Sequence, residues 1–139
     1  MSLSDHLRYL RAFNGGEHPD AIYKALGLES GIMGAETGYR PVRDEALVAK
    51  LADYYSRPLE EFQWHNARPR KFLTFYLAEA MRNKTPVELR LRSGQTLTGT
   101  VAWWDLSSAG LRQENGRLLV VQRHAVIDWP NATDEWEDV

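Results

Sequence analysis

The spacing of apolar residues divides the chain into two unlike halves. Through the first half they recur at three and four residues, the period of a helix with one buried face. Leu3, Leu7 and Leu10 give the first such face, with Ser4 as its expected N-cap and Asn14-Gly15-Gly16 as its stop. Pro19 and Asp20 open a second helix that carries Ile22, Ala25 and Leu26 and closes at Gly27. Ser30 is the expected cap of a third, running through Ile32, Met33 and Glu36 to Gly38. Asp44 and Glu45 suit the positive end of a fourth, whose face holds Leu47, Val48, Leu51 and Tyr55. Pro58 starts a last turn with Leu59 and Phe62 inside. Short helices joined by tight glycine turns predict a helix-turn-helix bundle over residues 1–63.

Residues 64–71 are polar and include Pro69, the composition of a linker. A helix from about Phe72 to Arg82 follows, apolar on more than one side. From Pro86 the period falls to two. Val87, Leu89 and Leu91 alternate with Glu88, Arg90 and Arg92, and Leu97, Val101 and Trp103 share one parity in the next strand. Trp103 and Trp104 are sent to opposite faces. Asn115-Gly116 predicts a type I′ hairpin leading from Leu111-Arg112 into a strand over 118–122, and 126–129 completes five strands. So many short strands manage their edges better in a small closed barrel than in an open sheet. The expected fold class is α+β: an all-α bundle, then a helix-capped five-stranded SH3-like barrel over 72–131, then a tail over 132–139.

Composition narrows the function. The chain has 139 residues and no cysteine, which excludes disulfides, thiolate metal sites and cysteine catalysis. Apolar runs reach only four residues, as in Leu118–Val121, and the N-terminus has no signal-peptide pattern, so a cytoplasmic protein is expected. The net charge of −2 is unevenly spread. Residues 1–70 sum to −1, residues 71–130 to +3, and the tail, with Asp134, Glu135, Glu137 and Asp138, to −4. A basic patch on a near-neutral chain points toward a polyanion, although solvated surface charge gives the same pattern. There is no paired-histidine metal spacing, phosphate loop, dinucleotide fingerprint or nucleophile elbow. The expectation is a protein without catalysis, metal or cofactor.

Several landmarks of the second half fall in a familiar order: Lys84-Thr85-Pro86-Val87, then Ser93-Gly94-Gln95-Thr96-Leu97-Thr98-Gly99-Thr100-Val101, then Trp104-Asp105, then Gln122-Arg123-His124-Ala125-Val126. In order and spacing this stretch resembles the Sm-like family in its Hfq-like branch. The resemblance implies barrels joined edge to edge in a homo-oligomeric ring, a hexamer by preference, that binds RNA. Arg123 and His124 take the places of the family's pore-lining basic-histidine pair. Arg82 and Lys84 keep part of its basic rim, with Met81 replacing one basic residue, and Trp104, in place of the phenylalanine of the family's Phe-Asp, is expected with them as a rim or patch contact to RNA. Arg90 occupies a position where the opposite face carries an aromatic. Leu73, Leu106 and Ser107 replace the two glutamines and the stacking phenylalanine of the uridine pocket, so base readout there is lost.

The first half resembles the Cro/repressor-type (XRE-like) helix-turn-helix family over Leu7–Phe62. The resemblance rests on Leu7-Arg8-Tyr9-Leu10-Arg11, Ala25-Leu26-Gly27-Leu28, Glu36-Thr37-Gly38-Tyr39-Arg40-Pro41 and Leu47-Val48-Ala49-Lys50-Leu51-Ala52. It implies DNA contacts at Ser30, Arg40 and Arg43. Base readout favours Arg, Lys, Asn and Gln, and Glu29–Glu36 contains none of them. A structural or partner-docking role is therefore expected. The alternative is a DNA-binding regulator that uses the barrel to oligomerise.

Overall fold

The chain divides into two units, Ser2–Pro69 and Arg70–Val139, in a computed structural model that describes residues 1–28 and 32–133. The first unit is helical: α1 (Leu3–Phe13), α2 (Pro19–Leu26), α3 (Ile32–Thr37), α4 (Glu45–Tyr54) and α5 (Leu59–Asn66). Leu3, Leu7 and Leu10 of α1 are buried with Ile22, Val48, Leu51 and Phe62. The i, i+4, i+7 spacing thus becomes a core face, as the periodicity predicts. Ser2, not Ser4, caps α1; its hydroxyl oxygen accepts from the Asp5 N–H at 3.2 Å. Ser4 falls within the first turn and donates instead to the Gly38 carbonyl at 2.7 Å. Asp44 caps α4 and Gly27 closes α2 with φ of 68°, both as expected. The expected cap at Ser30 lies outside the described residues.

Further side-chain contacts hold α1 within this unit. Arg11 meets the buried Glu36 of α3 at 2.9 Å, and His6 stacks on His65 of α5 with ring centroids 3.9 Å apart. The expected linker is mostly helix. Leu59 opens a full helix, not a single turn, and only residues 67–69 separate its end from α6 (Arg70–Asn83). Glu60, Glu61 and Gln63 are good helix formers, so polarity alone did not mark a break.

The second unit places α6 against a five-stranded antiparallel sheet: β1 (Pro86–Leu91), β2 (Thr96–Trp104), β3 (Ser108–Arg112), β4 (Leu118–Gln122) and β5 (Val126–Asp128). Their order across the sheet is β4-β3-β2-β1-β5. Phe72, Leu73 and Leu77 of α6 share a core with Val87, Leu89, Leu97, Val101, Leu111, Val121 and Val126. A 3-10 turn of three residues, Arg123–Ala125, joins β4 to β5, the strands at opposite ends of the ladder. Flat strands would hold those edges roughly 19 Å apart. The link from Gln122 to Val126 spans at most roughly 14 Å. The sheet must curl.

The curl does not become the closed barrel expected from the sequence. Among the described residues β4 pairs with β3 alone and β5 with β1 alone, so the ladder is open. Two local features also differ from expectation. A bulge at Ala102 shifts the β2–β3 register, with Val101 opposite Leu111 but Trp103 opposite Gly110. One extra residue reverses facing: Trp104 packs against the core and Trp103 turns outward. At the hairpin Gly116 has φ of 82° while Asn115 stays at negative φ, and Gly116 N–H bonds to the Gln113 carbonyl. That is a type I turn closed by a left-handed glycine, not type I′, which needs positive φ at both central residues.

Candidate nucleic-acid interface

The connection between β2 and β3 is ordered by one carboxylate. Asp105 Oδ1 accepts from the N–H groups of Ser107 at 2.8 Å and Ser108 at 2.7 Å, and from the Ser107 hydroxyl at 3.0 Å. These donors hold the Asp105 carboxyl below its ordinary value of 3.8, the Ser107 N–H first among them. The Asp105 carbonyl is then aimed at Arg123. That guanidinium donates to the Asp105 carbonyl at 2.6 Å, the Arg70 carbonyl at 3.0 Å and the Thr74 hydroxyl at 2.6 Å. The Arg123 N–H also reaches the Ser107 carbonyl at 2.9 Å. One side chain therefore ties the first turn of α6, the β2–β3 turn and the 3-10 turn together.

This corrects the role expected of Arg123. It is 2% exposed, and a guanidinium so enclosed presents nothing to a phosphate at the surface. Its fork geometry, which suits phosphate, suits converging carbonyls equally well. His124, the next residue, is exposed. Of the pair, His124 alone faces solvent.

The other expected contacts are scattered around this unit. Arg82 and Lys84 are exposed at the end of α6. Lys84 takes a left-handed φ of 56° just past the helix, and Thr85 N–H closes back on the Ala80 carbonyl at 3.0 Å. Met81 beside them is 39% exposed. Arg90 is exposed on β1, opposite Asp128 of β5, with their charged atoms 3.8 Å apart. Trp104 gives part of its ring to the core. Leu73 is a core residue, whereas Leu106 is 63% exposed and Ser107 is exposed on the turn. Residues standing in for the uridine pocket are thus not assembled as one.

In the helical unit Arg40 and Arg43 are exposed between α3 and α4, and Ser30 lies outside the described residues. Glu36 of α3 is buried against Arg11. No group of three or more His, Asp or Glu side chains is placed to hold a metal among the described residues. No helix among them is long and apolar enough to cross a membrane.

Sequence periodicity missed the outward face of β2, β3 and β4. Trp103, Gly110 and Val120 form one cross-strand row, with Arg112 and Leu118 in the next. Trp103, Leu118 and Val120 are 37%, 40% and 54% exposed. The indole lies over Gly110, where a Cβ would come within 2.2 Å of its Nε1. The signal was the short Ser108-Ala109-Gly110 stretch, which small residues disguise as loop.

Residues 76–128 match a protein-family model described as "Hfq related". The match runs from the middle of α6 through β5 and supports an Hfq/Sm-like domain in the second unit. No curated protein matches the chain.

Proposed function

We propose that the protein is a non-catalytic RNA-binding member of the Sm/Hfq-like group, acting in the cytoplasm as a homo-oligomeric ring, with a hexamer preferred. One observation carries the assembly. Among the described residues β4 and β5 each have an edge without a strand partner, and β4 exposes Leu118 and Val120 beside its edge. An apolar edge of this kind is a template for another strand, and a β4 edge meeting the next copy's β5 edge is a head-to-tail contact that closes when the rotation fits. In this reading the ring does what closure of the single barrel does not.

RNA contact then falls to His124 around the central opening and to Arg82 and Lys84 on the rim, with Arg123 holding the turn beneath. Each contact is weak alone. Repetition around a ring raises avidity by roughly two orders of magnitude or more. Binding rests on phosphates, without the stacking that a phenylalanine at position 107 would supply, so it should weaken steeply with salt.

The first unit fits a Cro/repressor-type helix-turn-helix scaffold adapted to support or docking. The absence of base-reading residue types in Glu29–Glu36 and the commitment of Glu36 to Arg11 favour this over DNA readout.

Light scattering at micromolar concentration tests the ring, and a monomer would sink it. Val120→Lys should dissociate the assembly and lower affinity for oligo-U or oligo-A at least tenfold. His124→Ala combined with Arg82→Ala and Lys84→Ala should weaken RNA binding while the ring persists. Duplex DNA bound more tightly than RNA would favour the regulator reading instead.

A further inference from the structure

A recess lies between α6 and the segment that follows β5, beside the end of α6 that carries Arg82 and Lys84. It encloses about 380 Å³, within the size range of small-ligand sites. Residues Phe72, Tyr76, Glu79 and Asn83 line one side, at positions four, seven and eleven after the first, so they share a helix face. Trp129 and Asn131 line the other. Phe72 and Trp129 give most of their surface to the core, which fixes their rings. Tyr76 is anchored too, its phenol oxygen accepting from the Glu88 N–H at 3.1 Å. Asn131 holds φ of 58°, a conformation asparagine tolerates better than most residues, and so keeps the chain turned along the rim after Pro130.

We propose that this cleft is a binding site for an organic cation, a guanidinium or alkylammonium head group seated between the aromatic walls and the Glu79 carboxylate. Glu79 is the one charged side chain among the lining residues, and it forms no ion pair within the described residues. The side-chain amide oxygens of Asn83 and Asn131 can accept from N–H donors. Aromatic rings with an adjacent carboxylate favour a cation over water. The same carboxylate repels phosphate, which separates this cleft from the RNA contacts proposed above. It also disfavours the chain's own tail, whose Asp134, Glu135, Glu137 and Asp138 carry like charge. The head group has two sources, a small free amine or an arginine side chain of another protein.

The test titrates the full-length protein with agmatine, with a blocked arginine tripeptide and with tetramethylammonium, followed by NMR at the Trp129 indole and the Asn83 amide. Saturable shifts at both positions are expected. Glu79→Gln should weaken binding about fivefold or more. Asn83→Lys, which sets an intramolecular cation four residues from Glu79, should abolish it. Agmatine outcompeting the tripeptide assigns a free amine; the reverse assigns a partner's arginine. Glu79→Gln binding as tightly as wild type overturns the proposal. So do shifts confined to the acidic tail, or a nucleoside monophosphate that occupies the cleft when the cations do not. None of these outcomes depends on RNA binding or ring assembly.

Discussion

Each unit holds a key arginine, half-buried in one and enclosed in the other, and the two are held by different chemistry. In the helical unit Arg11 meets chiefly a carboxylate, with one longer bond of 3.3 Å to the Glu17 carbonyl; Glu36 is buried and Arg11 still 26% exposed along its side chain. In the sheet unit Arg123 is enclosed and donates to two backbone carbonyls and a hydroxyl. The first contact is chiefly Coulombic and survives a change in the shape of the cation. The second is a matter of fork geometry, because neutral acceptors at three separate points must all be reached. A charge pair tolerates what a keystone does not.

The sharpest way to break this comparison is to remove shape and keep charge. Arg123→Lys should destabilise the sheet unit by about 2–4 kcal/mol, since one ammonium cannot serve three converging oxygens and leaves buried acceptors unmet. Arg11→Lys should cost less than about 1 kcal/mol, because the ammonium still faces Glu36. Urea unfolding followed separately for each unit checks both values. Equal losses from the two substitutions would show that geometry is not what distinguishes them. Glu36→Ala sits between them, at about 1–3 kcal/mol, discounted from a fully buried pair because Arg11 can turn to water.

These contacts also mark the limit of what the sequence made legible. Helix faces, the alternation in β1, the cap at Asp44 and the stop at Gly27 rest on local periodicity and local bonding, and each is visible within a few residues. The role of Arg123 is not local. Its acceptors lie at Arg70, Thr74 and Asp105, far apart in the chain, and an arginine reads as surface charge until the fold brings carbonyls to it. The exchange between Trp103 and Trp104 depends on one bulged residue, which no two-residue period can announce. The boundary between the units falls within the expected linker, but most of residues 64–71 are helical. Polar composition describes a helix as well as a loop, and in α5 Glu60 and Gln63 are exposed while Phe62 and His65 are buried. For the candidate interface, the family resemblance located the turn that carries His124, but only burial separates His124 from its neighbour.

The outward face of the sheet offers a smaller test. Gly110→Ala places a methyl where the Trp103 indole lies, with an ideal Cβ 2.2 Å from Nε1. The ring is more than a third exposed and can swing out, so the substitution should cost about 1 kcal/mol, less than an overpacked core position. A matching rise in indole exposure, read by fluorescence quenching, should accompany it. Trp103→Ala in the same background should bring no further loss, since the contact is already gone.

The gentlest perturbation is pH, and Tyr54 and Asp105, one in each unit, should answer it with opposite sign. In the helical unit the Tyr54 phenol is pushed up to about 12, chiefly by its hydrogen bond to Glu17. A phenol whose pKa rises on folding stabilises the fold fully below its ordinary value of 10.0, and that contribution is lost as pH climbs from there toward 12. At Asp105 in the sheet unit the direction is opposite, although burial raises the Tyr76 phenol in that unit too. Asp105 is lowered, so the contribution of its turn is intact above 3.8 and lost as pH falls through the folded value beneath it. Because Asp105 is exposed to solvent, the expected effect is loosening of the β2–β3 turn rather than unfolding. Amide shifts of Ser107 and Ser108 should titrate together below 3.8, while helical amides near Tyr54 respond only at the alkaline end. Asp105→Asn should remove the acid transition at the turn and leave the alkaline one in place. If the alkaline transition at the amides near Tyr54 moves as well, the two sites are coupled.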